Sequence, residues 1–156
     1  NPRDLVVLLL GEILHVERRL AGAVLQDLID ACGDMALQAA LAEHLVQTRL
    51  HVERVETAFR RMEVAPTANL SRSFESAVDQ HDKLAGSIVG VGLGDAFHTA
   101  TALRAEHWEI ASYTSLLAFG EALGYREELA ELRANLDDEE HARDMLLKLA
   151  GQSAAS

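Results

Sequence analysis

The chain has 156 residues, with 14 basic and 25 acidic side chains giving a net charge of −11, and a hydrophobic content of 49%. That length suits one domain with a sizeable core, and so acidic a balance argues against nucleic acid and anionic membrane surfaces as partners while suiting cations. The longest aliphatic run, Leu5 to Leu10, is far short of the roughly 20 apolar residues needed to span a bilayer; no signal-peptide pattern is present, and the lone Cys32 excludes an intramolecular disulfide, so a reducing cytoplasm is the expected compartment.

Every segment reads as helix. Asn1 and Pro2 suit an N-cap and a first helical position. Apolar periodicity then runs to about Ala31, with Gly33 as the stop and Cys32 as a small residue at the helix end. Asp34 can cap a second helix that carries Leu37, Leu41, Leu45, Thr48, Val52, Val55 and Phe59 inward and ends before Pro66. The short link makes these two segments an antiparallel hairpin. A shorter helix is predicted from about Ser71 to Ile88, with Phe74, Val78, Leu84 and Ile88 on its apolar side. Gly86, Gly90, Gly92 and Gly94 mark a break. Asp95 is expected to cap a long helix through Leu123 that stops at Gly124, and a last helix runs from about Arg126 to Ala150 and stops at Gly151. The expected fold is all-α: a ferritin-like four-helix bundle of two antiparallel hairpins plus one extra crossover helix, occupying residues 1–151, with a disordered tail at 152–156.

The informative feature is acid inside apolar stripes. Leu10, Ile13, Glu17, Leu20 and Val24 step by three and four residues and so share one helix face. Glu106 lies between Leu103 and Ile110, and Glu139 between Leu136 and Leu146. A buried carboxylate must be neutral, paired or metal-bound, and several converging on one core point to a metal. On the second helix His44, Thr48 and His51 are spaced four and three apart and share a face with Leu41 and Val55. On the last helix Asp138-x-x-His141 has ligand spacing, but Glu139 holds the better place on the stripe and is preferred. Glu12 and Glu109 are expected to be more exposed, with Glu109 a candidate beside the ligands, as is Gln47. His15, His81 and His98 have no helical companion with ligand geometry.

At these residues the chain resembles the YciF-type bacterial stress proteins of the ferritin-like superfamily, over nearly its whole length. Ala105-Glu-His-Trp-Glu-Ile-Ala-Ser-Tyr113 is similar to that family's V-E-H-Y-E-I-A-x-Y. Leu136-Asp-Asp-Glu139 is similar to L-x-E-E, His44-Leu-Val-Gln-Thr48 to H-L-E-E-T, Val52-Glu-Arg54 to V-E-R, and Val16-Glu17-Arg-Arg-Leu20 to A-E-x-Q-L. The resemblance implies a bundle with a dinuclear centre of iron or another divalent transition metal, a bacterial cytoplasmic source and a homodimer. Two departures stand out. Gln47 replaces an acid of the family motif, and Arg143 stands where the last helix often has one. Both remove negative charge, and Arg143 is expected to pair with Glu139.

The leading functional reading is a metal-binding stress protein with oxygen or peroxide chemistry. Its metal candidates are Glu17, His44, His51, Glu106, Glu109 and Glu139, with Tyr113 as a hydrogen-bonding or electron-relay group. The alternative is a metal-free structural or interaction protein whose buried acids are satisfied by Arg143, His51 and Tyr113. A hemerythrin-like carrier ranks last, because it needs about five core histidines. The apolar excess at Val6, Val7, Leu9, Leu14, Leu25 and Val46 suggests a two-fold dimer.

Overall fold

A computed structural model describes the backbone of residues 1–155 and the side chains of residues 1–152. Asn1 and Asp4 form a reciprocal capping box at the start of α1 (Pro2–Arg19), as the sequence predicts. The helix then widens into a five-residue π turn, Leu20–Val24, and continues as α2 (Leu25–Ala31). Periodicity gives no warning of this π turn. The hairpin leads into α3 (Met35–Arg61), capped by Asp34 through the Leu37 N–H. Ser71 caps α4 (Arg72–Ala85), which buries only Phe74.

Gly90, not Asp95, precedes α5 (Val91–Leu123). Asp95 lies in the first turns of α5, buried, and does something else. Its two oxygens accept from the Gly33 and Asp34 backbone N–H groups, each at 2.8 Å. It therefore caps the distant α2–α3 turn. Gly124, in the left-handed region at φ 88°, ends α5 as expected. The last helix, α6 (Leu132–Ala155), begins six residues later than the predicted Arg126. Residues 125–131 form irregular turns instead, because Leu129 plugs against Gly120, where any side chain would strike its methyl at 2.2 Å. At the other end α6 passes the stop expected at Gly151. Ser156 and the side chains of residues 153–155 lie outside the described residues, and the expected tail at 152–156 falls largely on them.

The long helices form a ring in which α1 packs on α3, α3 on α6, α6 on α5 and α5 on α1. This is a ferritin-like bundle, with α4 and its flanks as the crossover. The crossover is tied down where the Asn69 N–H donates to the Gly11 carbonyl at 2.8 Å, an approach that a side chain on Gly11 would block.

Two apolar layers fill the ring. One holds Leu10, Leu14, Val55, Phe59, Tyr113, Leu132 and Leu136. The other holds Val16, Leu20, Leu37, Leu41, Ala102 and Leu146. Each helix passes from one layer to the other, and each carries its acid or histidine at the crossing. A buried polar layer is thereby clamped between two hydrophobic plugs, each fully buried leucine contributing roughly 1.5–3 kcal/mol. Val6, Leu14 and Leu25 are spent in this internal core, and Val46 alone of the expected interface set is exposed. Among the described residues, no helix is long and apolar enough to cross a membrane.

Candidate metal centre

The polar layer contains Glu17 from α1, His44, Thr48 and His51 from α3, Glu106 and Glu109 from α5, and Asn135 and Glu139 from α6, all buried. All six sequence-derived metal candidates meet here. Glu109 departs from expectation. It is 1% exposed, not a surface group. Its spacing of three from Glu106 and four from Tyr113 puts it on the same inner stripe, a signal the sequence carried. The option Asp138-x-x-His141 fails, because His141 is exposed.

The groups sort into two sets around one shared residue. His44, Glu106, Glu109 and Glu139 can bring one ligand atom each within 4.8 Å of the others, and so can Glu17, His51 and Glu139. Glu139 faces both ways: its Oε2 lies 3.4 Å from His44 Nε2 and its Oε1 lies 2.8 Å from His51 Nδ1. His44 Nε2 is also 3.0 Å from Glu106 Oε1, and His51 Nδ1 is 3.2 Å from Glu17 Oε1.

The imidazoles are aimed from outside. His51 Nε2 donates to Asp138 Oδ2 at 3.0 Å, and Arg54 Nη1 holds the same oxygen at 3.3 Å. His44 Nδ1 contacts Gln47 Oε1 at 3.4 Å, so Gln47 is an orienting group rather than a gap in the ligand set. With the outer nitrogen holding the proton, the inner nitrogen turns a lone pair toward the carboxylates. Those close contacts lack hydrogen-bond geometry. His44 Nε2, His51 Nδ1, Glu17 Oε2, Glu106 Oε2 and both oxygens of Glu109 and Glu139 are buried without a hydrogen-bond partner. So many orphaned groups facing one another are unfavourable unless a cation or protons lie between them.

Titration follows the same logic. Burial, then the charges of Glu139, Glu17 and Glu106, push the Glu109 carboxyl well above its ordinary value. Burial and Glu106 do the same to Glu139. Burial opposes the charge on His44 and on His51, but Glu106 and Glu17 respectively outweigh it and raise both imidazoles. Burial would raise Glu106, but His44 draws it below the ordinary range. Without metal, protons take the place of cations.

Around this set, the Tyr113 hydroxyl donates to Glu17 Oε1 and accepts from Asn135 Nδ2 at 2.9 Å. Burial and Glu17 raise the Tyr113 phenol well above its usual value, so it stays a donor. Sequence reasoning missed Asn135, Arg54 and the outward role of Asp138, since their partners are on other helices. The expected pairing of Arg143 with Glu139 does not occur; its guanidinium Nε donates to Asp144 at 3.0 Å. Burial and Asp95 push the Cys32 thiol up to about 12, which fits a packing residue. His15 bonds Glu75 at 2.9 Å, and His81 meets His98 at 3.0 Å, both outside the polar layer.

The donor set fits divalent transition metals. Carboxylates and imidazoles suit hard to borderline ions, and four carboxylates with two neutral imidazoles would balance two divalent charges.

Comparison with known proteins agrees with this architecture. A family profile described as "Domain of unknown function (DUF892)" matches residues 1–156. Protein YciF of Escherichia coli (strain K12) is 28% identical over 151 residues, covering 94% of this chain and 89% of that protein. The crystal structure of the E. coli stress protein YciF matches with a TM-score of 0.91 at 26% identity, covering 100% of this chain and 98% of that one. YcfI of Rhodopseudomonas palustris, a proposed structural protein, matches with a TM-score of 0.90 at 29% identity, covering 94% of this chain and 92% of that one.

Proposed function

The chain belongs to the DUF892 family, and we propose that it is a ferritin-like metal-binding protein of the bacterial stress response, holding a dinuclear centre of the di-iron type. One observation carries the reading: two buried imidazoles, their outer nitrogens occupied, turn bare inner nitrogens toward carboxylates 2.8 to 3.4 Å away without hydrogen bonds. A cation between these groups satisfies all of them.

Glu17 and His51 would hold one ion, and His44, Glu106 and Glu109 the other, with Glu139 shared. Iron bound there would supply one-electron chemistry toward oxygen or peroxide. The chain's own groups do the rest. Asp138 and Gln47 fix the imidazole tautomers, and Tyr113 orients Glu17. Burial favours a proton on Glu109, and a metal held there would need that carboxylate ionised, so loading would release protons. The apolar layers exclude water from both sides. We extend the reading to a cytoplasmic homodimer, as the family resemblance implies.

A structural role is the one proposed for the R. palustris relative; without metal, protons on Glu109, Glu139, His44 and His51 would have to fill the layer instead. The separating experiment is metal analysis of protein purified without chelator, followed by anaerobic iron(II) titration. Two ions per chain are expected. No binding of iron(II), manganese(II) or zinc(II) at micromolar concentration would refute the proposal.

A further inference from the structure

Two histidines outside the polar layer face each other across helices. His81 on α4 and His98 on α5 bring Nε2 and Nδ1 to 3.0 Å. Packing of the crossover helix on α5 makes this pair, so spacing along either helix does not announce it. His81 is fixed from two further directions. Its ring lies flat on Phe97, with centroids 5.2 Å apart and planes within 6°. Its other nitrogen, Nδ1, lies 3.3 Å from Asp82 Oδ1. A carboxylate on the outer nitrogen is the usual support of a metal-binding imidazole, because it fixes the tautomer and leaves the inner lone pair free. Asp138 and His51 form the same arrangement in the polar layer.

The two rings line a crevice of about 300 Å³ that opens to solvent, with the exposed Asp27 and Asp82 on its walls. Arg19 lines it too, but its Nε and Nη2 donate to Glu75 at 2.7 and 3.3 Å. Burial and His81 hold the His98 imidazole below its ordinary value, which keeps it a neutral ligand. We propose that His81 and His98 chelate a divalent transition ion of the zinc class, which clips the crossover helix α4 to α5. Imidazole nitrogen suits such ions. Zinc holds each nitrogen at roughly 2.0–2.1 Å, which sets two tetrahedral ligands about 3.3 Å apart, so a pair now at 3.0 Å need open by only a few tenths of an ångström. Both rings stay neutral: His81 keeps its hydrogen on Nδ1, toward Asp82, and that of His98 sits on Nε2. The clip acts where packing is thinnest, since α4 buries only Phe74. This site stands whether or not the carboxylate cluster holds metal.

The experiment titrates zinc(II) into metal-free, full-length protein against a chromophoric chelator. His81→Gln, at a half-buried position, should bind one ion fewer per chain than the parent, and His98→Gln likewise. The same one-ion difference should appear when both members of the comparison also carry Glu139→Leu, so the result does not depend on the central cluster. Asp82→Asn should weaken this ion about tenfold, within the range such outer partners command. Circular dichroism identifies variants that remain folded. Nitrogen NMR of the imidazoles needs no variant: zinc should shift His81 Nε2 and His98 Nδ1 in the parent. The proposal is overturned if zinc leaves both nitrogens unshifted, or if folded His81→Gln binds as many ions as the parent with the same affinity. A difference that vanishes in the Glu139→Leu background would also overturn it, by showing that the histidines act through the central cluster.

Discussion

Tyr113 on α5 donates its phenolic hydrogen bond to Glu17 on α1, and it does so from within the apolar layer next to the carboxylate cluster. A metal-free Glu17 is therefore held in place before any ion arrives. Tyr113→Phe removes a hydrogen bond to a buried carboxylate and leaves the Asn135 Nδ2 with its 3.4 Å contact to the His51 carbonyl, while Asn135 Oδ1 still accepts from Arg54. The expected loss is about 2 kcal/mol in urea denaturation of the metal-free protein. Iron stoichiometry should persist. An unchanged denaturation midpoint would mean that Tyr113 orients nothing.

Glu139 and Glu17 make different predictions, because Glu139 belongs to both ligand groups and Glu17 to one. Glu17→Leu should lower anaerobic iron(II) uptake from two ions to one, retained by His44, Glu106, Glu109 and Glu139. Glu139→Leu should remove tight binding of both. Equal losses in the two variants would contradict the two-group arrangement.

Removing metal should give the protein a reversed pH dependence. Glu109 and Glu139 have raised values in the folded state, so the native form binds protons that the unfolded form releases above about 4.5. His44 and His51 are raised as well, and the native form keeps protons that the unfolded form sheds above about 6.5. In both windows the native state binds more protons, so stability falls as pH rises. In chelator, the denaturation midpoint should decline from pH 5 to pH 8. With saturating metal the trend should invert, since ligands must be deprotonated to bind. Glu109→Leu should flatten the metal-free decline and raise stability at pH 8, because it replaces an unpartnered buried carboxyl with an apolar side chain.

Asp95 supplies two backbone hydrogen bonds to the α2–α3 turn from a buried position. It is eleven residues before Glu106, or roughly 16 Å along α5. Asp95→Ala should cost about 3 kcal/mol in stability while leaving metal affinity unaltered in protein that remains folded. A selective loss of metal binding would instead tie the turn to the centre.

What the sequence made legible, and what it hid, divides along one line. Glu17, Glu106 and Glu139 could be found because each interrupts an apolar stripe on its own helix, a property of local spacing. Hairpin order followed from caps and stops at Asn1, Asp34 and Gly124. Asp95 was misread as a local cap because its partners are some 60 residues away, and acid near a helix start carries no sign of which N–H it will meet. The π turn passed unnoticed because Ala21, Gly22 and Ala23 have no apolar bulk to reveal a change of phase.

The two departures from the family pattern now separate. Arg143 lies toward the surface and pairs with Asp144, so Arg143→Asp should change iron affinity little. Gln47 touches the outer nitrogen of His44, where an anionic acceptor would make the imidazole a stronger donor to metal. Gln47→Glu alone should therefore tighten the His44-side ion by about tenfold, within the range such outer partners command. Its effect on the His51-side ion should be smaller, because that imidazole already has Asp138. Isothermal titration of parent, Gln47→Glu and Arg143→Asp with iron(II) measures this directly. Tightening by Arg143→Asp and not by Gln47→Glu would show that long-range charge, rather than imidazole orientation, governs the centre.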